Sequence, residues 1–161
     1  MQVGKDIMLQ QVQEFNHFRL ATLTDIKYLA PRLRFEDKRE ILSTAGMTPY
    51  TALYYSYLKS EIVFTIVNAK KEPVAIFGIT VGGAIWLLAT DKLKDIQYSF
   101  LKENKKVIDF LNTKYKILWN FVDCRNSLHI KWLKWCGFKF INKKKYGVLN
   151  EPFYEVIRIC A

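Results

Sequence analysis

Apolar residues recur along this chain at two intervals, and the changes of interval mark its elements. "NHFRLATL" (16–23) alternates like a short strand. Thr24 then suits the cap of a helix, "DIKYLAPRLR", which Pro31 interrupts. "EDKREILSTAG" has helical spacing and closes at Gly46. Thr48 before Pro49 predicts another start, with Leu53, Tyr54, Tyr57 and Leu58 at helical intervals. The period then shortens. "EIVFTIVNAKKEPVAIFGITVGGAIWLLAT" holds three β-rich runs parted by "NAKKEP" and "GG", an antiparallel meander in which Gly82–Gly83 makes a tight turn. A long helix is predicted over 92–115, with Phe100, Leu101, Val107, Ile108, Leu111 and Tyr115 on one face and Lys102, Lys105 and Lys106 on the other. "ILWNFVDC" reads as a strand buried on both faces. A helix follows Asn126 and stops at Gly137–Phe138; "FKFIN" and "FYEVIRI" (153–159) are closing strands, with "KKKYGVLNEP" a loop between them.

The order is strand, helices, meander, long helix, strand, helix, two strands. It requires a mixed, mainly antiparallel sheet flanked by helices, an α/β (α+β) architecture. No repeat, low-complexity block or linker divides residues 1–161, so a single domain is expected.

Half of the 161 residues are hydrophobic, which excludes a disordered tail protein. No apolar run approaches the roughly 18 to 20 residues of a bilayer span, and "MQVGKDIMLQQVQEF" lacks the parts of a signal peptide. A cytoplasmic setting without membrane is therefore expected. Cys124, Cys136 and Cys160 are scattered, which argues against a disulfide framework or a zinc site; Cys124 and Cys136 read as buried small hydrophobes. The net charge of +10 favours anionic partners. A nucleic-acid partner rests on that charge alone, because no DNA- or RNA-binding signature accompanies it.

The unit around Asn126 changes the picture. Gly137 and Phe138 follow Asn126 by eleven and twelve residues, and with the element order this resembles the Gcn5-related N-acetyltransferase superfamily. A narrower resemblance runs through "RLATLTDIKYLAPRLRFEDKREI", "EPVAIFGI", "WLLATDKL", "LWNFVDCRNSLHIKWLKWCGF" and "YGVLNEPFYEV". These stretches are similar to tailed-bacteriophage proteins labelled internal virion protein A-like or acetyltransferase-like.

The resemblance implies a sheet splayed between its fourth and fifth strands, with acetyl-CoA as cosubstrate in the gap. The backbone of Leu87, Leu88 and Ala89 would meet its pantetheine arm, and Asn126 would direct its amide to it. An ordinary helix cap is the competing reading of Asn126, and both can hold. The superfamily's glycine-rich pyrophosphate loop is missing: "ATDKLKDIQ" offers Lys92 and Lys94 instead. Leu133 stands where many members carry a proton-donating Tyr.

His129, three residues after Asn126, is the alternative proton carrier, against its reading as a structural histidine. Asp37 and Glu40 could hold or deprotonate an amine; alternatively they form an intrahelical ladder with Arg34. Tyr146, Glu151 and Tyr154 are further acceptor-side candidates. The expected function is a phage-encoded acetyltransferase-fold protein, acting on an amine of a host or phage protein or a small molecule in the host cytoplasm. Its alternative is a non-catalytic, virion-associated role in assembly or host-factor binding.

Overall fold

The β-rich middle folds back on itself twice. In a computed structural model, which describes residues 2–160 with side chains from Asp6 onward, four strands form one antiparallel sheet. They are β1 (Phe18–Leu20), β2 (Ser60–Val67), β3 (Pro73–Thr80) and β4 (Ile85–Ala89), in that spatial order. β2 and β3 are buried almost end to end because helices cover both faces of this sheet.

α2 (Leu23–Leu29), α3 (Phe35–Ala45) and α4 (Pro49–Lys59) follow one another before β2. Ile26, Leu29 and Leu53 from α2 and α4 close over Val63, Ile76 and Leu88 on one face. On the other face α1 (Gln2–Val12), α5 (Gln97–Lys114) and α6 (Ser127–Trp135) bring Met8, Val12, Phe100, Val107, Ile108, Leu111 and Trp132 against Phe64, Phe77 and Ile79.

The second sheet has order β5 (Ile117–Asp123), β7 (Glu151–Ile159), β6 (Lys139–Tyr146), all antiparallel. The two sheets meet where β4 runs parallel to β5, and they are joined at one end only. Trp119 donates its backbone N–H to the Gly83 carbonyl at 3.1 Å and its indole to Gly82 at 3.0 Å. Asn120 donates its side-chain amide to the Ile85 carbonyl at 2.6 Å. Past that point no β4–β5 hydrogen bond occurs among the described residues. The mixed, mainly antiparallel architecture is the one the element order predicted, and the split between the fourth and fifth strands is the one the resemblance implied.

Several local expectations need correction. α2 is capped by Thr22, not Thr24, because Asp25 completes a reciprocal box: the Thr22 hydroxyl accepts from the Asp25 N–H, and the Asp25 carboxylate accepts from the Thr22 N–H. The long helix begins at Gln97, after a 3₁₀ segment over Asp91–Ile96 that Thr90 caps. β5 is not buried on both faces, since Ile117 and Trp119 point to the uncovered side of the second sheet. Lys143–Lys145 lie in β6 rather than in a loop. Their ammonium groups reach over aromatic rings, Lys143 over Tyr154 and Lys144 over Phe121, so the strand carries them without burying charge. The helix over Gln2–Val12 was not anticipated at all.

Gly46, with φ of 66°, ends α3 as expected, and Thr48 caps α4. Cys136 is fully buried, and burial pushes its thiol up to about 12; Cys124 is partly buried and raised for the same reason.

Candidate functional site

Antiparallel pairing uses the backbone of alternate residues, and the register decides which ones. Thr90 donates to the Val74 carbonyl and Thr80 to the Ala84 carbonyl, and Leu88 lies opposite Ile76 in the same phase. Ala84, Trp86, Leu88 and Thr90 therefore spend their backbone groups on β3. Ile85, Leu87 and Ala89 point theirs at the gap before β5. At Ile85 the carbonyl is taken by Asn120.

At Ala89 both groups are taken by the chain itself. The N–H donates to Asp37 Oδ2 at 2.8 Å, and the carbonyl accepts the Arg34 N–H at 2.8 Å. The segment from Leu33 to Asp37 thus lies beside the end of β4 where an added strand would lie. Leu87 alone keeps backbone groups directed into the gap with no partner among the described residues. Of the three residues expected to expose their backbone there, Leu88 faces the other way and Ala89 is already satisfied.

A buried polar network fills the inner end of the gap. Asp37 is wholly buried, and each of its oxygens accepts two hydrogen bonds. Oδ1 accepts from Arg34 Nη2 at 2.6 Å and Asn126 Nδ2 at 3.0 Å; Oδ2 accepts from Arg34 Nε at 3.3 Å and from Ala89. Asn126 serves as the α6 cap through a long 3.4 Å contact from the His129 N–H. Its amide nitrogen also donates to Glu40 Oε2 at 2.6 Å. That amide is spent on Asp37 and Glu40 rather than being presented to a ligand. The intrahelical ladder is realised only between Arg34 and Asp37; Glu40 turns to Asn126 and His129 instead.

His129 lies over this network, 92% or more shielded from solvent. Its Nε2 is 3.7 Å from Asp37 Oδ1, and its Nδ1 is 3.7 Å from Glu40 Oε2. Those distances exceed hydrogen-bond reach, so the carboxylates act mainly through charge. Burial pushes the imidazole pKa down, but Asp37 and Glu40 outweigh burial and Arg34, and the net direction is upward from 6.5. Nε2 has no hydrogen-bond partner.

Two cavities of about 290 Å³ each meet at this point. One lies between the start of α5 and α6, walled by Leu93, Phe100, Trp132 and Trp135, with Lys94 and Lys131 on its lining. The other lies under α3, α4 and β6, walled by Met47, Tyr55, Trp86, Phe121 and Tyr146, with Glu40 on its lining. Leu87 and His129 line both. Lys92 lines neither and pairs with Glu72 at 3.4 Å on the surface. Tyr146 joins the second cavity; Glu151 and Tyr154 line neither. Lys131, Trp86 and Phe121 were missed from sequence, because nothing local marks a residue whose role depends on which distant helix it faces.

Asp37, Glu40 and His129 also lie close enough to share a metal ion, their ligand atoms falling within 4.8 Å. The chemistry does not fit a cation. The Asp37 oxygens are saturated by donors, and the Arg34 guanidinium is 2.6 Å from one of them. The trio is better described as a charge network.

Known proteins place the fold. Spermidine N-acetyltransferase from Vibrio cholerae, solved with CoA and spermine, covers 89% of this chain and 94% of its own, with a TM-score of 0.65 at 12% identity. AAC(6')-Ib, solved with ribostamycin and coenzyme A, covers 89% and 92% with a TM-score of 0.65 at 12% identity. Ribosomal-protein-S5-alanine acetyltransferase from Vibrio fischeri covers 91% and 95% with a TM-score of 0.59 at 19% identity. The chain has the acetyltransferase fold. Residues 63–145 match the family profile described as "Bacteriophage T7, probable scaffold protein Gp13". No curated protein sequence matches the chain.

Proposed function

The chain belongs to the family described as bacteriophage T7, probable scaffold protein Gp13, and from that premise we propose that it is a phage-encoded N-acetyltransferase. In this reading it binds acetyl-CoA and acetylates an amine of a host or phage protein, or of a small molecule, in the host cytoplasm. The observation that carries the reading is the junction at Leu87 and His129. There Leu87, with an unspent backbone edge, and His129, with an unpartnered ring nitrogen, line both cavities.

Acetyl-CoA supplies an activated acetyl group. The Leu87 backbone would hold the pantetheine arm as a short added strand, inside the apolar cavity between α5 and α6. Lys94 and Lys131 would hold its phosphates, in place of the missing glycine loop; Lys92 contributes less because Glu72 already pairs with it. The amine acceptor would enter through the second cavity, whose aromatic walls and single carboxylate suit a cation. As the acetyl carbon's bond to sulfur gives way to one to nitrogen, the amine loses a proton and the sulfur gains one.

Asp37 and Glu40 raise the His129 pKa and so favour its protonated form, which suits a proton donor to the sulfur. That role replaces the tyrosine whose place Leu133 occupies. Positioning contributes on the order of 7 to 11 kcal/mol of barrier lowering when geometry is good, and a proton donor about 100- to 10,000-fold. Weak side-chain chemistry is therefore tolerable where a cofactor slot is intact.

A second reading has its own support. The family description names a scaffold role, and Asp37 already occupies the Ala89 N–H. A non-catalytic protein of virion assembly would keep the fold and leave the gap closed. Titration calorimetry with acetyl-CoA separates the two. Saturable heat, with turnover that falls at least tenfold in His129→Ala, supports the enzyme. Absence of heat at millimolar ligand, with assembly partners retained in pull-downs, leaves the scaffold reading.

A further inference from the structure

We propose that Asp37 is a gate on the slot. Its carboxylate occupies the Ala89 N–H in the free protein and must release it when an acyl-pantetheine arm lies along β4. The inference rests on the acetyl-CoA reading above and adds to it an internal competitor for the slot.

Geometry motivates it. Leu87 and Ala89 are alternate residues on one edge of β4, so their N–H groups lie about 7 Å apart and point the same way. An extended arm with amide groups needs both to pair as an added strand, but one is already bonded to Asp37 at 2.8 Å. The cavity between α5 and α6 is lined by Arg34, Leu87 and Ala89, so a ligand entering it arrives at this bond. Opening needs the Asp37 side chain to turn away from Ala89, giving up the Oδ2 bonds from Ala89 and from Arg34 Nε. Arg34 Nη2 and Asn126 Nδ2, which now donate to Oδ1, remain close by to hold the turned carboxylate. The Arg34 N–H remains on the Ala89 carbonyl, so the strand end does not come loose. The closed form is the one observed. Apparent affinity falls by the fraction of molecules open, so a variant without the carboxylate should bind more tightly.

The test compares the unmodified protein with Asp37→Ala, using acetyl-pantetheine as the probe. That probe carries no phosphate, so a gain cannot come from attraction between phosphate and the Arg34 charge left behind, and the Arg34→Met, Asp37→Ala pair removes that charge altogether. A gate predicts binding tighter by about tenfold or more in the variant. Unchanged or weaker binding overturns the gate. If acetyl-CoA still binds the unmodified protein in that case, the transferase reading stands without it. If acetyl-CoA binds neither protein, the transferase reading falls and the gate falls with it.

Should Asp37→Ala not fold, Arg34→Met with Asp37→Ala removes the whole ion pair and gives the same comparison. In the unmodified protein the Ala89 amide resonance must shift on saturation with acetyl-pantetheine; a resonance that stays in place overturns the gate whatever the variants do.

Discussion

The side-chain amide of Asn126 donates to the carboxylate of Asp37 at 3.0 Å, across 89 residues of sequence. The same nitrogen donates to Glu40 at 2.6 Å. One amide thus ties the start of α6 to two carboxylates of α3, in a place where water reaches neither Asp37 nor Asn126.

Asn126→Ala should therefore cost more than a lost cap. A cap alone contributes about 0.5 to 2 kcal/mol. Leaving buried carboxylate oxygens without their donor adds a penalty, so a total loss of about 3 kcal/mol or more is expected. Urea unfolding measures it. A loss inside the cap range would show that the bonds to Asp37 and Glu40 contribute nothing.

His129 should make stability depend on pH in a stated direction. Its pKa in the fold lies above the ordinary 6.5, because Asp37 and Glu40 outweigh burial. Such a group contributes fully below its unfolded pKa and loses that contribution as pH rises through the folded value. The stability advantage of the unmodified protein over His129→Gln should thus be greatest below the ordinary histidine pKa of about 6.5 and shrink as pH rises above it. Melting curves on both sides of that value check it; an advantage that grows with pH contradicts the assignment.

Asp25 holds the opposite corner of the first sheet. It is buried, and it accepts from Arg19 at 2.7 and 2.8 Å, from the Thr22 N–H at 2.9 Å and from the Thr65 hydroxyl at 2.8 Å. Burial alone would raise its pKa, but Arg19, Thr22 and Thr65 outweigh it and hold the carboxyl below 3.8. Its contribution is present above that value and is lost as pH falls through the lower, folded one. Asp25→Ala should destabilise by about 3 kcal/mol, the lower end for a broken buried pair because Arg19 is partly exposed. Asp25→Asn should lose less at acid pH than at neutral pH.

Gly78 gives the indole of Trp86 its room. A Cβ at Gly78 would stand 2.6 Å from the ring, and the ring is tethered by a 2.8 Å bond from Nε1 to the Ser60 hydroxyl. Gly78→Ala should cost about 1 to 3 kcal/mol and shift the near-ultraviolet circular dichroism of the tryptophans. Trp86 walls the proposed acceptor cavity, so in an active enzyme the same change should raise KM for the amine.

Local signals told the truth where the deciding partner was close in sequence. Thr48 before Pro49, Gly46 with its left-handed backbone and the meander turns all depend on groups within a few residues. Thr22 defeated the reading because two threonines stood in range and only Asp25 selects between them. Lys143–Lys145 defeated it because a lysine run reads as loop until aromatic rings are known to lie beneath.

Period and spacing alone determined the element order, and with it a mixed sheet flanked by helices; the split between the fourth and fifth strands was implied only by the resemblance to the acetyltransferase superfamily. They also placed Asn126 at the head of α6 and set Asp37 and Glu40 on one helical face. Only the tertiary structure decided that these three side chains meet, that Glu40 leaves the ladder, and that Leu87 rather than Ala89 keeps its backbone open. The reason is physical: caps and faces follow from neighbours a turn away, whereas the partner of a buried carboxylate is fixed by how whole helices pack, and no interval along the chain encodes that.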